Sequence, residues 1–168
     1  MRFADRTGAI VDVYQSTTQM TDESGITYLT HIDTLLDNAI GTKGYYVVVA
    51  ANMHTDRVAS PGSDTIVAEA QARGVPIVSA KQMLTWLDGR NGSSFSTFSF
   101  SSNTLGFTIS TAAGARNIQA MVPAQFRGLA LSGLTRGGSS VTYTLQTIKG
   151  VSYAIFNAAA GNYLATYR

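Results

Sequence analysis

The chain has no cysteine, so no disulfide staples it and no thiolate can bind a metal or act as a nucleophile. Its 2 histidines are His31 and His54. Two imidazoles alone make a poor zinc site, because zinc sites draw three or four ligands from Cys, His and carboxylates. No apolar run approaches the roughly 20 residues of a membrane-spanning helix. The opening MRFADRTG lacks the apolar core of a secretory leader. GARNIQ and RGGSS lack the lysine and following helix of a phosphate-binding loop, and no Gly-x-Ser-x-Gly elbow occurs.

The most informative absence is of negative charge. Residues 93–168 contain no Asp or Glu, against five Lys/Arg (Arg116, Arg127, Arg136, Lys149, Arg168). Residues 1–92 hold all ten acids with seven Lys/Arg, so the formal +2 divides into −3 and +5. Five scattered cations are a weak footprint for nucleic acid. The segment reads instead as Ser/Thr-rich β structure solvated by its hydroxyls. With 168 residues, 45% of them apolar and 13% charged, the chain is expected to fold as one full domain or two small ones.

The first part alternates strand and helix signals. AIVDVY (9–14) reads as a strand and QSTTQMTDESG as a polar loop, with Ser24 or Asp22 available to cap a helix. Ile26, Leu29, Ile32, Leu35, Leu36 and Ile40 recur every three or four residues, the apolar stripe of a helix that Gly41 and Gly44 end. Next comes GYYVVVAANMHTD (44–56), in which Val47, Val48 and Val49 predict a strand buried on both faces. Ser63 or Asp64 caps the helix TIVAEAQAR, VPIVSA is a short strand, and KQMLTWLDG is a third helix. The order β-α-β-α-β-α predicts a parallel α/β sheet.

After RNGSS (90–94) the period changes from helical to alternating. Leu105, Phe107 and Ile109 alternate with polar residues, as do Val141, Tyr143 and Leu145, and Val151, Tyr153 and Ile155. Turn residues recur about every ten positions, which predicts a small antiparallel β-sandwich. The expected organisation is therefore an α/β segment over 1–92 and a sandwich over 93–168. Three βα units make at most half of a barrel and leave strand edges uncovered. The α/β segment is accordingly expected to be the end of a larger (β/α) domain that begins in mid-sheet.

VVVAANMHTD, DTIVAEAQARG, VPIVSA and KQMLTWLDG, in that order, resemble the C-terminal half of the polysaccharide deacetylase superfamily. In that family a late strand of a distorted (β/α) barrel ends in a histidine, and a helix, a strand and an outgoing helix come after it. VDVYQSTTQMTDE resembles the earlier strand and loop that place an acid near that histidine. The resemblance covers about half of the chain. It departs from the family at Asn52-Met53-His54, where an aliphatic-x-His is commoner. What it implies is metal-dependent removal of N- or O-acetyl groups from sugars outside the cell. The family's Asp-Asp and His-x-x-x-His motifs, which hold the metal and supply the base, are absent here. The chain is thus expected to be inactive alone, with the divalent metal, zinc in the usual case, held by the missing half of the barrel.

His54 is then the candidate general acid, with Asp56 or Asp22 orienting its ring. Asn52 and Trp86 are candidates for contacting sugar, although Trp86 at helical spacing equally fits a core. Asp22-Glu23 also reads as loop charge before a helix N-terminus. Asp12 lies in an apolar strand and either points outward or belongs to a site, and His31 is expected to face solvent. The aromatics beyond residue 93 alternate as a sandwich core requires. A glycan-binding face would need two or three of them exposed and coplanar. The rival expectation is a non-catalytic glycan-binding or structural module with an α/β scaffold. The expected partners are polysaccharide or the missing half of the barrel.

Overall fold

The computed structural model describes residues 2–44, 47–56 and 58–168, without the side chain of Arg2. It is mixed α/β, with helices α1 (Tyr28–Ile40), α2 (Pro61–Ala72) and α3 (Ala80–Asn91) and mostly antiparallel sheets. The chain divides into two compact units, Met1–Ser79 and Ala80–Arg168.

In the first unit β1 (Arg2–Ala4) and β2 (Ile10–Tyr14) form an antiparallel hairpin. Asp5 closes its loop by accepting the N–H groups of Thr7 and Ala9 at 2.8 and 3.0 Å. The Thr7 hydroxyl bond, followed by these amide bonds, holds the Asp5 carboxyl below its ordinary pKa. β3 (Thr18–Thr21) then pairs in parallel with β4 (Ala50–Asn52), and α1 makes the crossover between them. The core gathers Met20 from β3, Ile32 and Leu36 from α1 and Ala70 from α2, flanked by Ile26, Val49, Met53, Ile66 and Val75. Burying a side chain such as Met20 or Ile32 contributes roughly 1.5–3 kcal/mol.

α2 starts earlier than its sequence suggests. Ser60 caps it by accepting the Ser63 N–H, and Pro61 fills the first helical position, where a missing N–H costs nothing. At its other end Arg73 binds α1 to α2, donating to Asp33 and Asp37 at 2.8 and 2.9 Å and to Glu69. Those carboxylates raise its already high pKa further, the Glu69 bond most of all.

The parallel sheet of the described residues is a single pair, not three strands. QSTTQMT, read as loop, carries β3. The strand expected at Val47–Val49 forms three residues later: Val47 and Val48 are 46% and 45% exposed, while Ala50–Asn52 takes the ladder. Tyr45 and Tyr46, which open the expected strand, lie outside the described residues. VPIVSA forms no ladder; Val75 packs on the core, but Ile77 and Val78 are half exposed. An apolar run becomes a strand only where it forms ladder bonds with a neighbour, and this one forms none among the described residues.

The second unit begins with α3 and continues into β structure. One sheet has the order β10 (Ser139–Ser140), β9 (Leu129–Arg136), β13 (Gly161–Tyr167), β6 (Thr104–Ser110) and β5 (Ser94–Ser101), with β8 (Gln125–Phe126) also on β9. The other runs β11 (Thr144–Ile148), β12 (Val151–Asn157), β7 (Gln119–Pro123). All their pairings are antiparallel. Both sheets feed one core, with Phe107 and Ile109 from β6, Val122 from β7, Leu134 from β9, Phe156 from β12 and Tyr163 from β13. The Tyr167 hydroxyl donates to the Pro123 carbonyl at 3.1 Å and ties β13 to β7. The turns Ser102-Asn103, Arg127-Gly128, Gly137-Gly138 and Lys149-Gly150 have positive φ at both residues. That is the turn whose twist matches a two-residue hairpin.

α3 belongs with these sheets, in the unit that begins at Ala80. Trp86 donates its indole N–H to the Arg116 carbonyl at 2.9 Å. Gly89 lies so close to Gly114 and Ala115 that a Cβ there would strike their backbone.

Candidate functional site

The parallel pair determines what can meet at its carboxyl ends. Thr21 stands opposite Asn52, so the next residues, Asp22 and Met53-His54, leave the sheet side by side. The His54 ring Nδ1 lies 2.9 and 3.1 Å from the two carboxylate oxygens of Asp22. The His54 backbone N–H also donates to Asp22, at 3.2 Å. A carboxylate only accepts, so Nδ1 carries the proton of this bond and Nε2 is left outward. Glu23 approaches Nε2 at 3.8 Å, too long for a hydrogen bond. Asp22 has 9% of its side chain exposed and His54 51%, so a sheltered carboxylate holds an accessible ring.

A cleft of about 400 Å³ opens at Asp22, lined also by Ile26, Tyr28, Ser60, Gly62 and Thr65; His54 is not part of its wall. Its shape depends on Gly62, where a Cβ would stand 2.8 Å from the Tyr28 ring. Ile26 and Tyr28 supply apolar wall, while Ser60, Thr65 and Asp22 supply polar groups. A concave wall of this mixed kind suits a small polar ligand with an apolar face.

Of the residues singled out from sequence, Asp22 and His54 come together, with the Glu23 carboxylate 3.8 Å from the ring. Asp22 orients the ring, not a helix terminus: α1 begins at Tyr28 behind Thr27, which makes no side-chain cap. Ser24 turns its hydroxyl back to the Thr21 carbonyl at 2.6 Å. Asn52 ends β4 and is exposed, and Asp56 is exposed in the bend beyond His54. Trp86 lies in the second unit, bonded to its own 116 loop. Asp12 is exposed on β2. His31 is exposed on α1, its ring 3.2 Å from the Thr27 carbonyl. The cleft residues Tyr28, Gly62 and Thr65 were not legible in advance, although Ser60-Pro61 is a helix-start signal pointing to that wall.

Among the described residues no group of three or more His, Asp or Glu is placed to hold a metal ion. No helix among them is long and apolar enough to cross a membrane. No family model matches the chain, nor does any curated protein or solved structure.

Proposed function

We propose that this chain is the C-terminal part of an extracellular, deacetylase-like carbohydrate-active protein, in which His54 acts as a general acid. The observation that carries the reading is the bond from Nδ1 of His54 to Asp22 at the carboxyl ends of β3 and β4. Parallel strands present their chemistry at that end. On this reading β3, α1, β4 and α2 are late elements of a (β/α) barrel whose earlier strands complete the sheet.

The residues present give one half of a hydrolysis. Asp22 fixes the ring and its tautomer, and Nε2 faces the substrate. In the imidazolium form both ring nitrogens carry a proton. When the tetrahedral adduct of an N-acetyl sugar collapses, Nε2 delivers its proton to the departing nitrogen as the C–N bond breaks, and the ring is left as the neutral Nδ1–H tautomer that Asp22 holds. The sugar would lie in the cleft along Ile26 and Tyr28, its hydroxyls reaching Ser60 and Thr65. In this family a divalent metal activates the attacking water. The described residues do not fit that metal, since no ligand group is assembled. Its ligands would come from the remainder of the barrel, which is the partner expected for this half-sheet.

The purified chain, incubated with acetylated xylan or chitooligosaccharides and a divalent metal, is expected to release no acetate. Release of acetate by residues 1–168 would overturn the fragment reading. A second reading, a glycan-binding module on an α/β scaffold, draws on a separate observation, the exposed phenylalanines of β5.

A further inference from the structure

We propose that the β5 edge of the second unit binds an acidic polysaccharide, a chain of sugar rings bearing carboxylates. The site shares no residue with the His54 cleft and does not rest on the reading of that cleft. β5 is the terminal strand of its sheet, hydrogen-bonded to β6 alone, and all of its residues are exposed. In its sequence SFSTFSFS, Phe95 and Phe98 are three residues apart and would lie on opposite faces of a regular strand, but the register slips between Ser96 and Ser99, with Thr97 at φ 54°. Such a bulge re-aims side chains and discourages pairing with another strand. The edge is therefore a surface for side-chain contacts more than for strand addition.

The re-aiming places two rings together. Phe95 and Phe98 are 46% and 66% exposed, with centroids 6.5 Å apart and planes only 23° from parallel. Phe95 is anchored from behind by the buried Phe107, at 5.8 Å. Two exposed rings in near-parallel planes offer apolar area against which the C–H face of a sugar packs. Towards the other end of β5, Phe100 meets Phe126 at 4.9 Å, and the Arg127 guanidinium lies 5.2 Å from the Phe126 ring centre.

Polar groups flank the rings. A cleft of about 310 Å³ reaches Phe95 and includes Arg90, Asn91 and Gln119 in its wall. Amides bond sugar hydroxyls in either direction, and a guanidinium takes a carboxylate on two donors. The strip thus runs from one arginine past aromatic rings to another. The charge of the unit selects the sign of its ligand: residues 80–168 hold seven Lys/Arg and only Asp88 in opposition, a formal +6. A single-stranded nucleic acid would want a continuous cationic groove along its backbone. Here serines and amides occupy most of the strip between the arginines.

Isothermal titration of the full chain with oligogalacturonate tests the proposal, with neutral cello-oligosaccharide and oligothymidylate in parallel. Oligogalacturonate is expected to bind most tightly. Phe98→Ala, an exposed position, should weaken it about threefold to tenfold, the range of one aromatic contact. Phe98→Tyr should preserve it, and the double variant Arg90→Gln, Arg127→Gln should weaken it by about tenfold or more. Lys149→Gln, on the β11–β12 turn of the other sheet, should leave affinity unchanged, and unaltered circular dichroism would show each variant folded. No binding of oligogalacturonate overturns the proposal. So does equal affinity of wild type and a folded Phe98→Ala, which would leave bulk charge attraction alone, or tighter binding of oligothymidylate.

Discussion

On the proposed reading, Asp22 and His54 carry the chemistry at the residue scale. Asp22 is shielded and His54 accessible, so the ring is positioned by the carboxylate and not by solvent. The neutral ring of His54 is therefore expected as the Nδ1–H tautomer. A long-range proton–nitrogen correlation spectrum reports this directly, with exposed His31 as the internal comparison. Asp22→Asn should abolish the preference, and an Nε2–H tautomer in the wild type would contradict the assignment. Tyr167 is the second case. Burial raises its phenol pKa above the ordinary 10, so the folded state favours the neutral phenol. The resulting stability is complete below pH 10 and is lost as pH rises through the folded value. Tyr167→Phe should lose about 1 kcal/mol with its bond to Pro123. In return its melting temperature should fall less steeply above pH 10 than that of the wild type; equal slopes would contradict the account.

Elements are where sequence and structure part company. The stripe of α1 was legible because a helix carries its period within itself: Ile32 and Leu36 are buried as the spacing requires. Alternation in β6 and β13 was legible for the same reason, since Phe107, Ile109 and Tyr163 sit on inward positions of the ladder. In β12 the expected run Val151, Tyr153 and Ile155 has the wrong phase, because Ala154 and Phe156 are the residues turned into the core. Strands of the first unit were not legible. TQMT is polar apart from Met20, yet it forms β3 because β4 offers it an edge and the core takes Met20. VPIVSA is apolar and yet joins no ladder among the described residues. What no local pattern contains is the Arg73 clamp, whose partners lie 36 and 40 residues away on α1. Arg73→Met would keep the stem and remove the charge, setting Asp33, Asp37 and Glu69 against one another. The variant should melt at a lower temperature than wild type at neutral pH. The deficit should shrink as salt is raised to about 1 M, which screens the carboxylates from one another. A difference unchanged by salt would assign the loss to packing instead.

For the whole molecule, the division of charge and the division of structure nearly coincide. Met1–Ser79 holds nine acids against five Lys/Arg, and Ala80–Arg168 the reverse imbalance. The change of period near residue 93 marked the start of β structure, but α3 lies on its far side because Trp86 and Gly89 fit the loop at 114–116. Composition does not distinguish a helix that packs on the chain after it from one that packs on the chain before it. The Asp22–His54 contact was half legible. His54 announced itself by coming directly after an apolar run, whereas the choice of Asp22 over Asp56 required knowing that β3 and β4 are parallel neighbours. The first unit's small core and its exposed Val47, Val48, Ile77 and Val78 accord with a sheet completed by further strands. The most direct test of that account is acetate release from acetylated xylan by the protein extended upstream of Met1, with and without His54→Ala. The account predicts an active extended protein and a fall of about 10²–10⁴-fold in kcat for the variant. An undiminished rate in His54→Ala, or an extended protein with no acetate release, would contradict it.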